Sequence, residues 1–144
     1  VAVAAGPPLA TLIVSGGNGC RDAMRCPETI AFLRACAAEA RRMCSVCSGA
    51  FPLAAAGLLN GKRVTTHWRR AQLLQQLFPT VDVEVDRIHI RDGDIWTSAG
   101  ISAGIDLALA LIADDLGEKV ALLEAAVTCL VTHAAHCTFP KSAR

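Results

Sequence analysis

The chain has 144 residues, of which 53 % are hydrophobic and 19 % are charged, and its formal net charge is +1. This length and composition fit one folded domain with a single core and exclude an intrinsically disordered chain. The near-neutral charge and the low aromatic content of 4 %, with no tyrosine, argue against nucleic-acid or anionic-membrane binding by this segment.

Short apolar runs alternate with helical patterns along the chain, which predicts an α/β fold. In chain order we predict a strand at Thr11–Val14, a helix at Pro27–Arg42, a strand at Met43–Val46, a helix from Ser48 to about Leu59, a strand at Arg63–Thr66, a helix at Trp68–Leu77, a hairpin of Arg87–Ile90 with Ile95–Ser98, a helix at Ile105–Leu116 and a helix from Glu118 to about His136. The order of these elements predicts a mostly parallel sheet with helices on both faces.

The loops that follow the predicted strands hold the candidate functional residues. In open parallel sheets, ligands bind at the carboxyl ends of the strands. We expect the loops at Gly16, Cys47 and His67 to lie at such an edge. The hairpin has a strong turn signal in Asp92-Gly93, because its turn needs positive φ.

The seven cysteines have irregular spacing and an odd count, which argues against a disulfide framework and favours a reducing, cytoplasmic location. Cys44-x-x-Cys47 has redox or metal spacing, but no second such pair completes a zinc site. His133-x-x-His136-Cys137 also resembles a metal motif, although a structural role at a helix end is the simpler interpretation. We expect no metal and no cofactor.

Cys47 is the candidate nucleophile. It lies between a predicted strand and the helix start Ser48-Gly49-Ala50, as in a nucleophile elbow, where small neighbours allow a sharp turn. The helix N-terminus favours the thiolate. The alternative is that Cys47 is a small buried hydrophobe, the usual role of a free cysteine. Cys44 fits that alternative better and should be buried in the strand.

His67 is the candidate partner of Cys47. It follows Thr65-Thr66 at a strand end, and a cysteine–histidine pair holds a thiolate or moves a proton. The alternative is a histidine that only caps a strand end. The backbone N–H groups of Ser48 and Gly17 are the candidate donors to a developing oxyanion.

A longer ordered series of motifs resembles the ThiJ/PfpI (class I glutamine-amidotransferase-like) superfamily. The resemblance is closest to the N-terminal amidotransferase-like domain of AraC-type transcription regulators, and isonitrile hydratases are also similar. It runs from about Thr11 to Gly117, and its motifs are Val46–Ala50, Leu53–Leu59, Gly61–Arg63, Thr65–Trp68, Asp86–His89, Asp92-Gly93, Trp96–Gly100 and Gly104–Leu109.

The resemblance implies a flavodoxin-like, three-layer fold, with Cys47 as the elbow cysteine, His67 as its neighbour, and Gly17 and Ser48 as oxyanion-type donors. Two departures are notable. Ser15 stands where relatives carry proline, and the first βαβ unit of the family, whose acidic residue bonds the elbow cysteine, is expected to be missing from residues 1–144. Residues 1–144 are therefore expected to form one amidotransferase-like domain that is incomplete at its N-terminus, and no helix-turn-helix domain is recognisable after Gly117.

The first functional hypothesis is the ligand-sensing and dimerisation domain of an AraC-type regulator, which reaches DNA only through a further domain. The alternative is a cysteine-dependent hydratase or hydrolase of small molecules, similar to isonitrile hydratases, that uses Cys47. An inert remnant and a redox sensor that pairs Cys47 with Cys44 are further alternatives. We expect a small-molecule ligand and a homodimer. We also expect no membrane contact, because the apolar run Ile101–Ala113 is broken by Ser102, Gly104 and Asp106.

Overall fold

A computed structural model describes the backbone of residues 10–100 and 102–137, and the side chains of residues 10–100 and 102–128. Its strands are β1 (Thr11–Val14), β2 (Arg42–Val46), β3 (Arg63–Val64), β4 (Asp82–Val83), β5 (His89–Asp92) and β6 (Ile95–Ser98). Its helices are α1 (Cys20–Ala23), α2 (Pro27–Glu39), α3 (Ala50–Ala55), α4 (Trp68–Leu77), α5 (Ala103–Leu116) and α6 (Glu118–Cys137). None of these helices, within the described residues, is long and apolar enough to span a bilayer.

The main sheet has four strands in the order β1-β2-β6-β5. Strands β1, β2 and β6 run parallel, and β5 pairs antiparallel with β6 through the predicted hairpin, whose Gly93 has φ 64°. The predicted fold class, a parallel-dominated α/β sheet of the flavodoxin-like kind, is confirmed. Because β1 and β2 are parallel neighbours, the loops that follow Val14 and Val46 meet at one edge of the sheet.

Two bounds of the predicted elements are wrong for reasons of pairing and turn geometry. Helix α2 ends at Glu39 instead of Arg42, because Arg42 pairs with Thr11 as the first residue of β2. Helix α3 starts at Ala50, after a 3-10 turn, and ends at Ala55, short of the predicted end near Leu59. The chain then turns through Gly57, whose φ of 79° is incompatible with a right-handed helix.

The strand predicted at Arg63–Thr66 is shorter and lies outside the main sheet. Only Arg63–Val64 forms β3, which pairs in parallel with β4 in a separate two-stranded sheet. The next residue ties this segment to the main sheet, since the backbone N–H of Thr65 donates to Thr97 Oγ1 over 2.8 Å. His67 therefore follows a strand end, but that strand belongs to the small sheet.

Other bounds shift less, and two short elements were not predicted. Strand β5 begins at His89 instead of Arg87, and α5 begins at Ala103 instead of Ile105. Helix α1 and strand β4 have four and two residues, respectively, too short to show a periodic pattern in the sequence.

The core lies between β2 and the helices that cover it. Met43 and Cys44 of β2 are almost fully buried, as is expected for a central strand. The same core contains three buried leucines from the helices: Leu33 of α2, Leu53 of α3 and Leu74 of α4. The buried residues that share one cluster are Leu33, Cys36, Met43, Ala50, Phe51, Leu53, Ala54, Ala56, Leu59, Val64, Leu74, Val81 and Ile95.

The chain divides into two compact units, and the boundary falls within α5, after Leu107. The first unit contains both sheets and every residue of the site described below. The second contains the rest of α5 and α6. The side chains of the His133-x-x-His136-Cys137 motif, Cys129 and the segment 138–144 lie outside those that the structure describes.

We predict that Gly49→Ala lowers the free energy of unfolding by about 2–3 kcal/mol. A Cβ at Gly49 would collide with the Val14 carbonyl group and lie 3.1 Å from the carbonyl carbon of Ser15. Gly19→Ala is the matched control, because Gly19 has a helical φ of −65° and no atom within 4 Å of an added Cβ. Urea unfolding of both variants measures the difference, and equal midpoints would contradict the prediction.

Candidate functional site

Cys47 has an unusual backbone conformation. Its φ is 57°, and among the residues that the structure describes it is the only non-glycine residue with positive φ. Such a conformation disfavours a residue with a Cβ and persists only where the surroundings enforce it. Cys47 connects the end of β2 to the 3-10 turn Cys47–Gly49, which leads into α3. This is the strand–turn–helix geometry of a nucleophile elbow.

Three contacts hold the elbow in this conformation. Thr66 Oγ1 donates a short hydrogen bond of 2.6 Å to the carbonyl oxygen of Cys47, and the Thr66 side chain is fully buried. Gly16 lies against the elbow so closely that an added Cβ would be 2.7 Å from Cys47 Cβ. Gly49 lies equally close to the end of β1. The loop after β1 and the segment after β3 therefore clamp Cys47 from two directions.

Ser48 and Gly17 bond to each other. The Gly17 N–H donates to Ser48 Oγ over 3.0 Å, and that hydroxyl lies 3.3 Å from the Gly17 carbonyl oxygen and 3.6 Å from Cys20 Sγ. Gly17 has φ 143°, a conformation that favours glycine. The two predicted oxyanion donors are thus neighbours, but the Gly17 amide already has an acceptor. Its role as a donor to a ligand stays a prediction.

His67 is the N-cap residue of α4. Its Nδ1 accepts a hydrogen bond from the backbone N–H of Arg69 over 3.2 Å, and its ring stacks on Trp68 with centroids 5.8 Å apart. Because Nδ1 accepts, the neutral imidazole carries its proton on Nε2. This capping bond also satisfies one of the free N–H groups of the first helical turn. His67 is therefore held in one tautomer with Nε2–H as a donor.

Cys47, Ser48 and His67 line one cavity of about 1100 Å³. Gly16 and Gly17 of the loop after β1 complete the edge near the cysteine, while Met24, Phe51, Leu73 and Leu77 supply apolar walls. Cys47 is partly exposed and lines this cavity. The structure thus brings the candidate nucleophile, the candidate acid–base residue and the candidate oxyanion donors to the wall of a single cavity.

The other cysteines of the described part of the chain are free thiols with different surroundings. Cys44 is fully buried in β2, as predicted, and burial raises the pKa of its thiol to about 11, although the Arg42 charge opposes the shift. Burial and the Glu39 carboxylate raise the pKa of the Cys36 thiol. Among the described residues, no group of three potential metal ligands is close enough to hold an ion.

Sequence reasoning missed several residues of the cavity. Cys20 lies within hydrogen-bond distance of Ser48 Oγ, but it belongs to the four-residue helix α1, which has no sequence signal. Thr66 was noted only as part of a motif, and its bond to Cys47 depends on a contact between distant segments. Four arginines also line the cavity: Arg21, Arg25, Arg69 and Arg70. Two of them were visible in the sequence as a basic pair in the first turn of α4.

We predict that Thr66→Val lowers the free energy of unfolding by about 1–2 kcal/mol and slows alkylation of Cys47, because the buried carbonyl of Cys47 loses its donor. Thr80→Val is the control, since the exposed Thr80 hydroxyl bonds only to Asn60 Oδ1, and its effect should stay within about 0.5 kcal/mol. Urea unfolding and mass-spectrometric mapping of alkylated Cys47 provide the two readouts. If Thr66→Val and Thr80→Val had the same free energy of unfolding and the same alkylation rate at Cys47, the proposed role of Thr66 in holding the elbow would be contradicted.

The chain is similar to known proteins in sequence and in fold. The chain is 45 % identical over 117 residues to an isonitrile hydratase of Pseudomonas putida, which covers 81 % of this chain and 50 % of the relative. It is 35 % identical over 114 residues to the HTH-type transcriptional regulator GbdR of Pseudomonas aeruginosa, which covers 79 % of this chain and 30 % of the regulator. The chain thus spans about half the length of the hydratase and a smaller share of the regulator.

The crystal structure of a ThiJ/PfpI family protein from Pseudomonas syringae superposes on this chain with a TM-score of 0.73 at 31 % sequence identity, covering 94 % of this chain and 53 % of that protein. Residues 3–114 match the DJ-1/PfpI family. Since this match covers well over half of the sequence, the chain belongs to the DJ-1/PfpI family.

Proposed function

We propose that Cys47 is the nucleophile of a cysteine-dependent hydratase that acts on small carbon–nitrogen compounds of the isonitrile type. The observation that carries this proposal is the strained φ of 57° at Cys47, held beside a cavity of about 1100 Å³. A cysteine that serves only as a small hydrophobe gains nothing from such a conformation. The 45 % identity to an isonitrile hydratase supports the choice of substrate class.

The proposed reaction balances without an external oxidant or cofactor. The Cys47 thiol adds to the terminal carbon of R–N≡C: the sulfur bonds to this carbon and the thiol proton moves to it, which gives the thioimidate R–N=CH–S–Cys47. Water then adds, its hydroxyl group to the same carbon and its other proton to the nitrogen. The carbon–sulfur bond breaks, the hydroxyl proton returns to the sulfur, and the N-substituted formamide leaves. The net change is the addition of one water molecule to the isonitrile.

His67 is a hydrogen-bond donor in this scheme. Its Nδ1 is occupied by the Arg69 N–H, so Nε2–H donates a hydrogen bond to the water that adds to the thioimidate. The backbone N–H of Ser48 is the proposed stabiliser of negative charge on the substrate. The Gly17 N–H joins it only if the Ser48 hydroxyl turns away, since this amide now donates to Ser48 Oγ.

The occupied Gly17 amide favours a second candidate function. If the Ser48 hydroxyl keeps this donor, the cavity binds a small molecule without turnover, as a sensing domain of an AraC-type regulator would. The 35 % identity to GbdR supports this alternative. In that case the domain acts in the cytoplasm as a homodimer, and contact with DNA belongs to a further domain.

The two candidates are separated by a hydration assay with benzyl isonitrile, in which formamide is measured by mass spectrometry. We predict that the chain forms N-benzylformamide and that Cys47→Ser lowers the rate at least about a hundredfold. Cys26→Ser is the control, because Cys26 is also partly exposed but does not line the cavity. His67→Asn should lower the rate by on the order of a hundredfold while an amide oxygen still caps α4.

Formamide formation that is unchanged in Cys47→Ser would contradict the hydratase. If the unmodified chain forms no formamide but binds small molecules in the cavity, the sensing function stands instead.

A further inference from the structure

The cavity beside Cys47 has an unusual charge distribution. Four arginines line it: Arg21 of α1, Arg25 two residues after α1, and Arg69 and Arg70 at the start of α4; all four are exposed. Among the described residues, no aspartate or glutamate lines this cavity. The chain has 14 Lys and Arg residues and a net charge of only +1, so four of its cations converge on one cavity without a balancing acid.

Within the described part of the chain, none of these four arginines forms an ion pair with a carboxylate. Other arginines have structural contacts: Arg34 Nε donates to the Ala56 carbonyl, Arg42 Nε to Thr11 Oγ1, and Arg63 and Arg87 pair with Glu84. Within the described residues, the four arginines of the cavity have no carboxylate partner, so an anionic ligand could pair with them.

The positions of Arg69 and Arg70 are unfavourable for α4 itself. Both lie in the first turn of the helix, which contains no acidic residue, and cations there oppose the helix dipole. The Arg69 guanidinium stacks over the Trp68 ring at 4.8 Å. A helix would gain stability from the reverse arrangement of charge, and a bound anion would offset this cost.

We propose that the cavity takes a small organic anion, namely an isonitrile that carries a carboxylate on an apolar body. The arginines bind the carboxylate, since the guanidinium fork matches carboxylate geometry. Met24, Leu73 and Leu77 contact the apolar body, and the reactive carbon faces Cys47. This inference names the substrate class of the site and rests on the proposed function for the reactive group, while the anion preference is testable without turnover.

Two alkylating agents of nearly equal size test the anion preference. Iodoacetate is an anion and iodoacetamide is neutral, and each reacts with the Cys47 thiolate by forming a carbon–sulfur bond as iodide leaves. We predict that the ratio of the iodoacetate to the iodoacetamide rate constant at Cys47 is at least about tenfold higher in the folded chain than in the urea-unfolded chain. Peptide mapping isolates Cys47 from the other cysteines.

The double variant Arg69→Gln/Arg70→Gln should lower this ratio by on the order of threefold or more, and so should added salt. The control Arg63→Gln/Lys119→Gln removes the same charge from exposed residues that do not line the cavity, and it should leave the ratio unchanged. Circular dichroism checks that all variants fold. The proposal would be overturned if the folded and unfolded chains gave the same ratio of the two rate constants. It would also be overturned if the Arg69→Gln/Arg70→Gln variant and the control variant gave the same ratio.

Hydration of isocyanoacetate and of its methyl ester then separates this inference from the proposed function. Faster hydration of the acid, lost in Arg69→Gln/Arg70→Gln, supports both. If neither compound is hydrated but the alkylation ratio depends on the arginines, the anion site stands and the hydratase falls. If isocyanoacetate and its ester are hydrated equally and the alkylation ratio is the same in Arg69→Gln/Arg70→Gln, the anion site is contradicted and the hydratase is supported.

Discussion

The backbone of Cys47 adopts φ 57°, a conformation that disfavours a non-glycine residue by about 1–3 kcal/mol, and its neighbours prevent it from relaxing. The Thr66 hydroxyl fixes its carbonyl group, and Gly16 and Gly49 let two other segments approach without a Cβ. Parallel pairing of β1 with β2 brings the glycine loop to the elbow. The buried core around β2 thus stabilises a conformation that the elbow alone would not keep.

The conformation of Cys47 also determines which of Cys44 and Cys47 a ligand in the cavity can contact. Because the elbow lifts Cys47 out of the sheet, this residue is partly exposed, whereas Cys44, three residues earlier, is buried and has a raised pKa. His67 is held in one tautomer by α4, and the arginines that line the cavity provide positive charge. The two proposed functions, hydratase and sensor, place the ligand in the same cavity, and they differ in whether the Gly17 amide is proposed to leave Ser48 for a ligand.

The sequence predicted the features that local patterns encode. The parallel order of strands, the burial of Cys44, the hairpin at Gly93 and the family follow from periodicity, turn residues and motif order, and all are confirmed. The end of α2 was mispredicted because pairing of Arg42 with β1 overrides its helix propensity.

The missed parts of the site depend on contacts between distant segments. Thr66 reaches Cys47 across nineteen positions, and the arginines of α1 and α4 meet only when the chain has folded around the cavity. Neither contact has a local pattern. The unfavourable charge of Arg69 and Arg70 in the first turn of a helix was the one sequence signal that could have indicated the cavity.

The central claim is that folding makes Cys47 a reactive nucleophile. The most direct measurement is the rate constant for its alkylation by neutral iodoacetamide at pH 7, in the folded chain and in the same chain unfolded in urea, resolved by peptide mapping. We expect Cys47 to react about tenfold or more faster when folded, because the elbow fixes the cysteine at the wall of the cavity in one orientation. A folded rate equal to or below the unfolded rate would show that the elbow is only structural and would contradict the account.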